Sequence, residues 1–234
     1  MCNELTEGLL GISFLKNKIS CLKAPEISQR DAQVIRNLLP IIGGLGVPEL
    51  IGVRSWFDFT KLPKYLVRES DSGSESKPDL EKALRQVEEE IEKMIQEGIP
   101  SENIVVAGMS QGGALTLYAA LHTRYKIGRF LPIVTWLPLL GFESPASLPT
   151  PINKDTPILH MNGKQDVIVP EECGRATATA MEPVFTNYQQ ENVLGTHLTT
   201  LGLPSNSAKI YCWLRNNVPN MAFSPIHAFR LLPC

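Results

Sequence analysis

Apolar residues recur every three or four positions between positions 78 and 97, and this period predicts an amphipathic helix. Pro78 suits a first helical turn and Gly98 suits the position after the last turn. The apolar stripe of this predicted helix contains Leu80, Ala83, Leu84, Val87, Ile91, Met94 and Ile95. The polar positions between them, including an acidic run at 88–90, are typical of a solvated face.

Short continuous apolar runs elsewhere predict buried strands. They lie at 104–109, 130–136, 157–161 and, with a weaker pattern, 184–188. Further helices are predicted directly after the first run, at 171–181 and from about 205 to 217. Strands that alternate with helices at this spacing predict an α/β fold, with a mostly parallel central sheet and helices on both faces.

The two ends of the chain lack this regular pattern. We predict an atypical N-terminal segment at 1–52, one α/β domain at 53–218 and an irregular C-terminal tail at 219–234. A helix is possible at 31–39, and the polar run at 69–76 is typical of a loop. The sequence contains no internal repeat and no second domain.

Composition narrows the class of protein. The formal net charge of −2 over 234 residues provides no basic surface for nucleic acid. No apolar run has membrane-spanning length, and acidic residues precede the N-terminal apolar run where a signal peptide has basic ones. Five scattered cysteines without a C-x-x-C pair argue against a disulfide framework or a zinc site. They favour a reducing compartment, and we therefore predict a cytoplasmic protein.

The most informative motif is Gly108-Met109-Ser110-Gln111-Gly112, between a predicted strand and a predicted helix. G-x-S-x-G in this setting is a nucleophile elbow, a sharp turn that presents a serine hydroxyl. Only small neighbours fit such a turn, so Gly108, Gly112 and Gly113 are expected to allow close backbone approach. The helix that follows would offer free N–H groups to an oxyanion. The alternative interpretation is a glycine-rich helix start without a catalytic role.

A serine nucleophile needs a histidine base and a carboxylate that orients it, and in this motif's usual setting the chain order is Ser, acid, His. Asp166 follows the strand predicted at 157–161, as such an acid should, although it could also be a surface turn residue. His197 alone among the histidines has the right order and a loop position after a strand. The others are His122 on the helix after the elbow, His160 within a strand and His227 in the tail.

Several blocks together resemble the acyl-protein thioesterase, lysophospholipase and small carboxylesterase family over about residues 53–218. They are Ser55-Trp56-Phe57-Asp58, the elbow through Leu115, Trp136-Leu137-Pro138-Leu139, Gly163 to Pro170 with Asp166, and Gly195 to Thr200 with His197. The resemblance implies an α/β-hydrolase that cleaves thioesters or esters of long acyl chains. Its triad would be Ser110, Asp166 and His197, and no metal or organic cofactor is implied.

The same resemblance implies further site residues. The backbone N–H of Gln111 would be one oxyanion donor. Trp136 and Leu137 would line an acyl channel, or alternatively pack at the end of the sheet. Asp58 would organise a loop near the site. The expected partners are an acylated protein or a small acyl ester.

The chain departs from the family in its N-terminal part. The family's early His-Gly-Leu-Gly-Asp block, which supplies a second oxyanion N–H, is absent, and Gly43 to Gly46 resembles it only faintly. Asn162 stands where many members have histidine. Loss of one oxyanion donor costs about 10²–10³ in rate. An impaired hydrolase fold that only binds acyl or lipid ligands is therefore the alternative function, and a chain that folds poorly is a third possibility.

Overall fold

A computed structural model of the protein describes residues 12–13, 55–57, 75–140, 144–217 and 224–225. The strands in these ranges are β1 (Ile12–Ser13), β2 (Val105–Met109), β3 (Arg129–Ile133), β4 (Ile158–Gly163), β5 (Tyr188–Val193) and β6 (Ser224–Pro225). The helices are α1 (Lys77–Gln96), α2 (Gln111–His122), α3 (Glu171–Met181) and α4 (Pro204–Asn217), with short 3₁₀ turns at Ser101–Asn103 and Pro145–Ser147.

The central sheet contains β2, β3, β4 and β5, hydrogen-bonded in that order. All three strand pairs are parallel, and the register aligns Met109 with Ile133 and Gly163 with Val193. The carboxyl ends of parallel strands meet at one edge of a sheet, where ligands bind in open α/β folds. The loops that follow β2, β4 and β5 therefore open at the same edge. β1 and β6 form a separate antiparallel pair.

Alternate side chains of the strands pack on opposite faces, as the strand geometry requires. Phe130 of β3 and Ile158 of β4 belong to a cluster that includes buried residues of α1, α2 and α3. Leu131 and Leu159 belong to a second cluster, which contains Ile210 of α4. Helices thus cover both faces, and the predicted α/β-hydrolase architecture is confirmed.

Helices follow the sequence prediction closely. The apolar stripe predicted between positions 78 and 97 is the buried face of α1, except that Ile95 is exposed. The acidic run at 88–90 is not wholly solvated as predicted, because Glu88 is buried. Ser76 caps this helix by accepting a hydrogen bond from the Asp79 backbone N–H at 3.4 Å. The prediction at 171–181 coincides with α3. The possible helix at 31–39 lies outside the described residues. None of the helices in the described portion of the chain is long and apolar enough to cross a bilayer.

Two strand predictions need correction. The run at 130–136 predicts a strand that continues too far, because Val134 adopts a positive φ of 43° and ends β3 at Ile133. The strand predicted at 184–188 is wrong apart from its last residue, since β5 starts at Tyr188. Val184 and Phe185 instead pack against the core from the turn after α3. β5 itself is polar and partly exposed, so it carries no apolar run.

The described cysteines differ in state. Cys173 in α3 is a buried free thiol, whereas Cys212 in α4 is disulfide-bonded. The bond at Cys212 is not expected from the scattered spacing of the cysteines.

His160 on β4 is a buried core residue, as its position within a strand predicts. Its Nδ1 lies 2.6 Å from the Tyr188 hydroxyl. Burial lowers the pKa of His160 from 6.5 to about 4, against smaller opposing effects of the Thr135 backbone and the Asn162 side chain. Burial and the charge of Glu182 raise the pKa of Tyr188, so this pair stays neutral.

Acidification should therefore destabilise the protein through His160. The unfolded chain takes up a proton near pH 6.5 and the folded chain does not, so stability is full above that pH and is lost as the pH falls toward 4. From pH 7 to pH 5 the loss from this residue is about 2 kcal/mol. Urea unfolding of the parent and His160→Gln at both pH values measures it. Equal losses in the two proteins would contradict the assignment.

Candidate active site

Ser110 occupies a strained turn between β2 and α2. Its backbone angles are φ 55° and ψ −120°, and φ in this region is unusual for a residue with a side chain. A Cβ on Gly108 would lie 2.1 Å from the Gly112 carbonyl oxygen, and one on Gly113 would lie 2.7 Å from Cβ of Thr135. A Cβ on Gly112 would meet nothing closer than the Trp56 indole at 3.7 Å. Close approach is thus required at Gly108 and Gly113 rather than at Gly112.

Thr135 stabilises the turn that carries Ser110. The Thr135 hydroxyl donates to the Ser110 carbonyl oxygen at 2.7 Å, and the Ser110 N–H donates to the Ile133 carbonyl at 2.9 Å. The left-handed backbone at Val134 turns the chain so that Thr135 reaches the elbow. Asn162 in turn donates its amide to the Thr135 carbonyl at 3.1 Å. Sequence reasoning missed Thr135, since nothing in the run at 130–136 distinguishes it from a strand residue.

His197 lies between Ser110 and Asp166. Its Nε2 is 2.9 Å from the Ser110 hydroxyl oxygen, and its Nδ1 is 2.7 Å from Oδ2 of Asp166. Asp166 and His197 are both buried, with 5% and 9% of their surfaces exposed. The structure therefore brings together all three side chains chosen from the sequence, although they lie on loops after three different strands.

The loop after β4 holds the Asp166 carboxylate in place. Its Oδ1 accepts the backbone N–H groups of Ile168 at 2.8 Å and Val169 at 2.9 Å. The Asp166 N–H donates to the Gly163 carbonyl at 3.1 Å. One carboxylate oxygen is thus used by the loop, and the other is left for the imidazole of His197.

The loop after β5 positions His197 through a compact turn. The Thr200 hydroxyl donates to the Thr196 carbonyl at 2.7 Å, and the Asn206 amide of α4 donates to the carbonyls of Leu194 and Thr200. Gly195 has φ 130°, and a Cβ there would lie 2.7 Å from the Thr200 backbone. The loop can therefore take this path only with glycine at 195.

Gln111 has two separate features at the start of α2. As the first residue of the helix, its backbone N–H has no carbonyl in a preceding turn to bind. Its side-chain amide binds another part of the chain: Oε1 accepts the Trp56 N–H at 2.7 Å and Nε2 donates to the Phe57 carbonyl at 2.6 Å. The amide therefore attaches residues 55–57 to the elbow, a role that the sequence did not indicate.

Trp136 and Leu137 are buried just after Thr135. The Trp136 indole donates to Glu75 at 3.1 Å, and the Leu137 N–H donates to the Thr177 hydroxyl at 2.8 Å. These contacts fit the packing interpretation, while the acyl-channel role stays a prediction.

The remaining candidates from the sequence are His122, Asp58 and His227. His122 stacks on Tyr118 at the far end of α2, with ring centroids 4.2 Å apart. Asp58 and His227 lie outside the described residues, as does the segment at 1–52 except for Ile12–Ser13.

A parallel sheet, a strained serine between strand and helix, and an acid and a histidine on later strand ends define an α/β-hydrolase. The sequence matches the family described as Phospholipase/Carboxylesterase over residues 48–200. The chain belongs to this phospholipase/carboxylesterase family, and the resemblance drawn from the sequence is confirmed.

Named relatives agree with this membership. The chain is 41% identical over 93 residues to acyl-protein thioesterase 1 homolog 2 of Dictyostelium discoideum, over 38% of this chain and 39% of that protein. It is 27% identical to acyl-protein thioesterase 1 of Gibberella zeae, over 79% of this chain and 78% of that protein. The crystal structure of Arabidopsis thaliana SOBER1 superimposes with a TM-score of 0.57 at 28% identity, over 70% of this chain and 74% of that one.

The chain spans little more than a third of the first relative and about three quarters of the second. The family description names phospholipases and carboxylesterases, and both of these relatives are named as acyl-protein thioesterases.

Proposed function

We propose that the protein hydrolyses acyl esters or thioesters with Ser110 as nucleophile, His197 as general base and Asp166 as the residue that orients His197. The observation that carries the proposal is the pair of hydrogen bonds that joins these side chains at 2.9 Å and 2.7 Å. The Asp166 carboxylate accepts a hydrogen bond from the Nδ1–H of His197, so the lone pair of Nε2 faces the serine hydroxyl.

The chemistry proceeds in two halves. The Ser110 oxygen attacks the carbonyl carbon while its proton passes to His197 Nε2, and the resulting tetrahedral oxyanion is received by the Gln111 N–H and a second donor. Collapse expels the alcohol or thiol, which takes the proton from His197, and leaves an acyl-serine ester. Water then gives a proton to His197 and attacks this ester, and collapse releases the acid while His197 returns the proton to the Ser110 oxygen.

The proposed substrates carry long acyl chains, either on proteins as thioesters or in small esters. The names of the relatives support this, since two of them are acyl-protein thioesterases. Trp136 and Leu137 would line the acyl channel in this proposal. The reaction needs no metal or organic cofactor, and a cytoplasmic location stays a prediction.

A fluorophosphonate probe tests the proposal directly. We expect rapid labelling, with the modified residue mapped to Ser110 by peptide mass spectrometry, and turnover of a 4-nitrophenyl octanoate ester and an octanoyl thioester. The reason is that the probe reacts with a serine only when a base activates it. Folded protein that stays unlabelled and does not turn over either ester would contradict the proposal. Binding of a fatty-acyl ligand by that unlabelled protein would instead establish the acyl-binding alternative.

A further inference from the structure

Gln165 forms a reciprocal pair of hydrogen bonds with Gly195. The Gln165 backbone N–H donates to the Gly195 carbonyl at 3.0 Å, and the Gly195 N–H donates to the Gln165 side-chain oxygen at 2.6 Å. One residue thus serves both polar groups of a residue on the neighbouring loop. In the second bond a side chain, rather than the backbone, accepts from the buried glycine.

The pair joins the two loops that carry the acid and the base. Gln165 directly precedes Asp166, and Gly195 lies two residues before His197. The backbones of the loops are in contact here, because a Cβ on Gly163 would lie 2.4 Å from the Gly195 carbonyl oxygen. The pair therefore holds the two loops together next to the hydrogen bond between Asp166 and His197, which is 2.7 Å long.

The geometry of Gly195 explains why the side-chain bond matters. Its φ of 130° is accessible to glycine alone, and glycine loses the most conformational freedom when it is fixed. Among the described residues, the Gly195 carbonyl accepts its hydrogen bond from the Gln165 backbone, and the Gly195 N–H donates to the Gln165 side chain. Without the side chain the N–H of the Leu194–Gly195 peptide loses its acceptor, and the backbone that leads to His197 gains freedom to rotate at Gly195.

We propose that the Gln165 side chain is a positioning residue that sets the distance between Asp166 and His197. This inference rests on the proposed function for its catalytic consequence. Gln165 itself is exposed, and it acts through Gly195 without touching the serine. A residue with this role changes the rate of the chemical step more than the binding of substrate.

Three variants separate this role from a general loss of stability. Gln165→Met keeps the length of the side chain and removes the acceptor. Gln165→Glu keeps an oxygen that can accept from the Gly195 N–H. Gln189→Met is the matched control, since Gln189 is an exposed glutamine on β5 whose amide donates only to Glu191 among the bonds of the described residues, at 2.9 Å.

Two measurements test whether Gln165 has this role. The first is the downfield proton resonance of the imidazole Nδ1–H that is hydrogen-bonded to Asp166, assigned by its absence in His197→Gln. The second is the separate determination of kcat and KM for 4-nitrophenyl octanoate. In Gln165→Met we expect the resonance to shift or broaden and kcat to fall about 10-fold, with KM changed less than about twofold. Gln165→Glu and Gln189→Met should retain the resonance and most of kcat.

Each outcome decides the inference. An unchanged resonance and kcat in Gln165→Met would overturn it, and a change confined to KM would show that Gln165 contacts substrate instead. An equal fall of kcat in Gln189→Met would also overturn it, because the effect would then come from a less stable β5. Failure of the proposed function would give a different result. The parent protein would show the Nδ1–H resonance but would not hydrolyse the ester. The comparison of this resonance between the parent and Gln165→Met would still test the role of Gln165.

Discussion

Asp166→Asn should lower kcat by about 10⁴-fold while the protein stays folded. The amide oxygen of the new side chain can still accept the N–H groups of Ile168 and Val169, so the loop after β4 keeps its bonds. The amide nitrogen then faces Nδ1 of His197 and donates to it. His197 must carry its own proton on Nε2, where it cannot accept the proton of Ser110.

The kinetics of 4-nitrophenyl octanoate hydrolysis and the rate of fluorophosphonate labelling measure this loss. Asp155→Asn is the matched control, because Asp155 is exposed and accepts a hydrogen bond from the Thr186 hydroxyl at 3.0 Å, away from the site. It should leave kcat unchanged. If Asp166→Asn retains more than about a tenth of the parent kcat with the thermal transition intact, Asp166 does not orient the base in the way proposed here.

Gly108→Ala should destabilise the protein by roughly 4 kcal/mol or more, or prevent folding. The added Cβ would lie 2.1 Å from the Gly112 carbonyl oxygen and 2.3 Å from its carbonyl carbon. Both atoms are backbone, so no side-chain rotation can relieve the overlap. Relief requires the first turn of α2 to move away from β2, and the helix cannot do so without leaving the sheet that it packs against.

Gly112→Ala provides the comparison for Gly108→Ala. The same added methyl group would meet only the Trp56 indole nitrogen at 3.7 Å, an ordinary contact. Urea unfolding should therefore show a loss for Gly112→Ala well below that for Gly108→Ala. Similar losses at the two positions would mean that the close approach of β2 and α2 does not limit stability.

Local sequence patterns predicted the elements with strong periodicity and selected the three side chains that the structure brings together. The buried stripe of α1 and the apolar run of β2 each have one interpretation, and the elbow between β2 and α2 requires small residues that are visible in the sequence. Ser110, Asp166 and His197 lie close together because the loops after β2, β4 and β5 open at one edge of a parallel sheet.

What the patterns left out depends on contacts between distant residues. β5 is polar because it is partly exposed, so its alternation is lost and a neighbouring apolar turn at Val184 and Phe185 resembles a strand more closely. Thr135 acts only because Val134 takes a left-handed backbone conformation, which nothing local to this β-branched residue favours. The side-chain oxygens of Gln111 and Gln165 accept backbone N–H groups from distant parts of the chain. Nothing in the sequence next to these two residues indicates such bonds.

The proposed nucleophile and the proposed base follow the two end strands of the described sheet. β3 and β4 have neighbours on both sides, whereas β2 is bonded to β3 alone and β5 to β4 alone among the described strands. Terminal strands of a sheet fray before its centre does, at a free energy below that of global unfolding. A partial opening at either end would separate the imidazole from the alcohol while the two inner strands stayed together. Inactivation by mild heat would then be reversible for as long as β3 and β4 stayed paired.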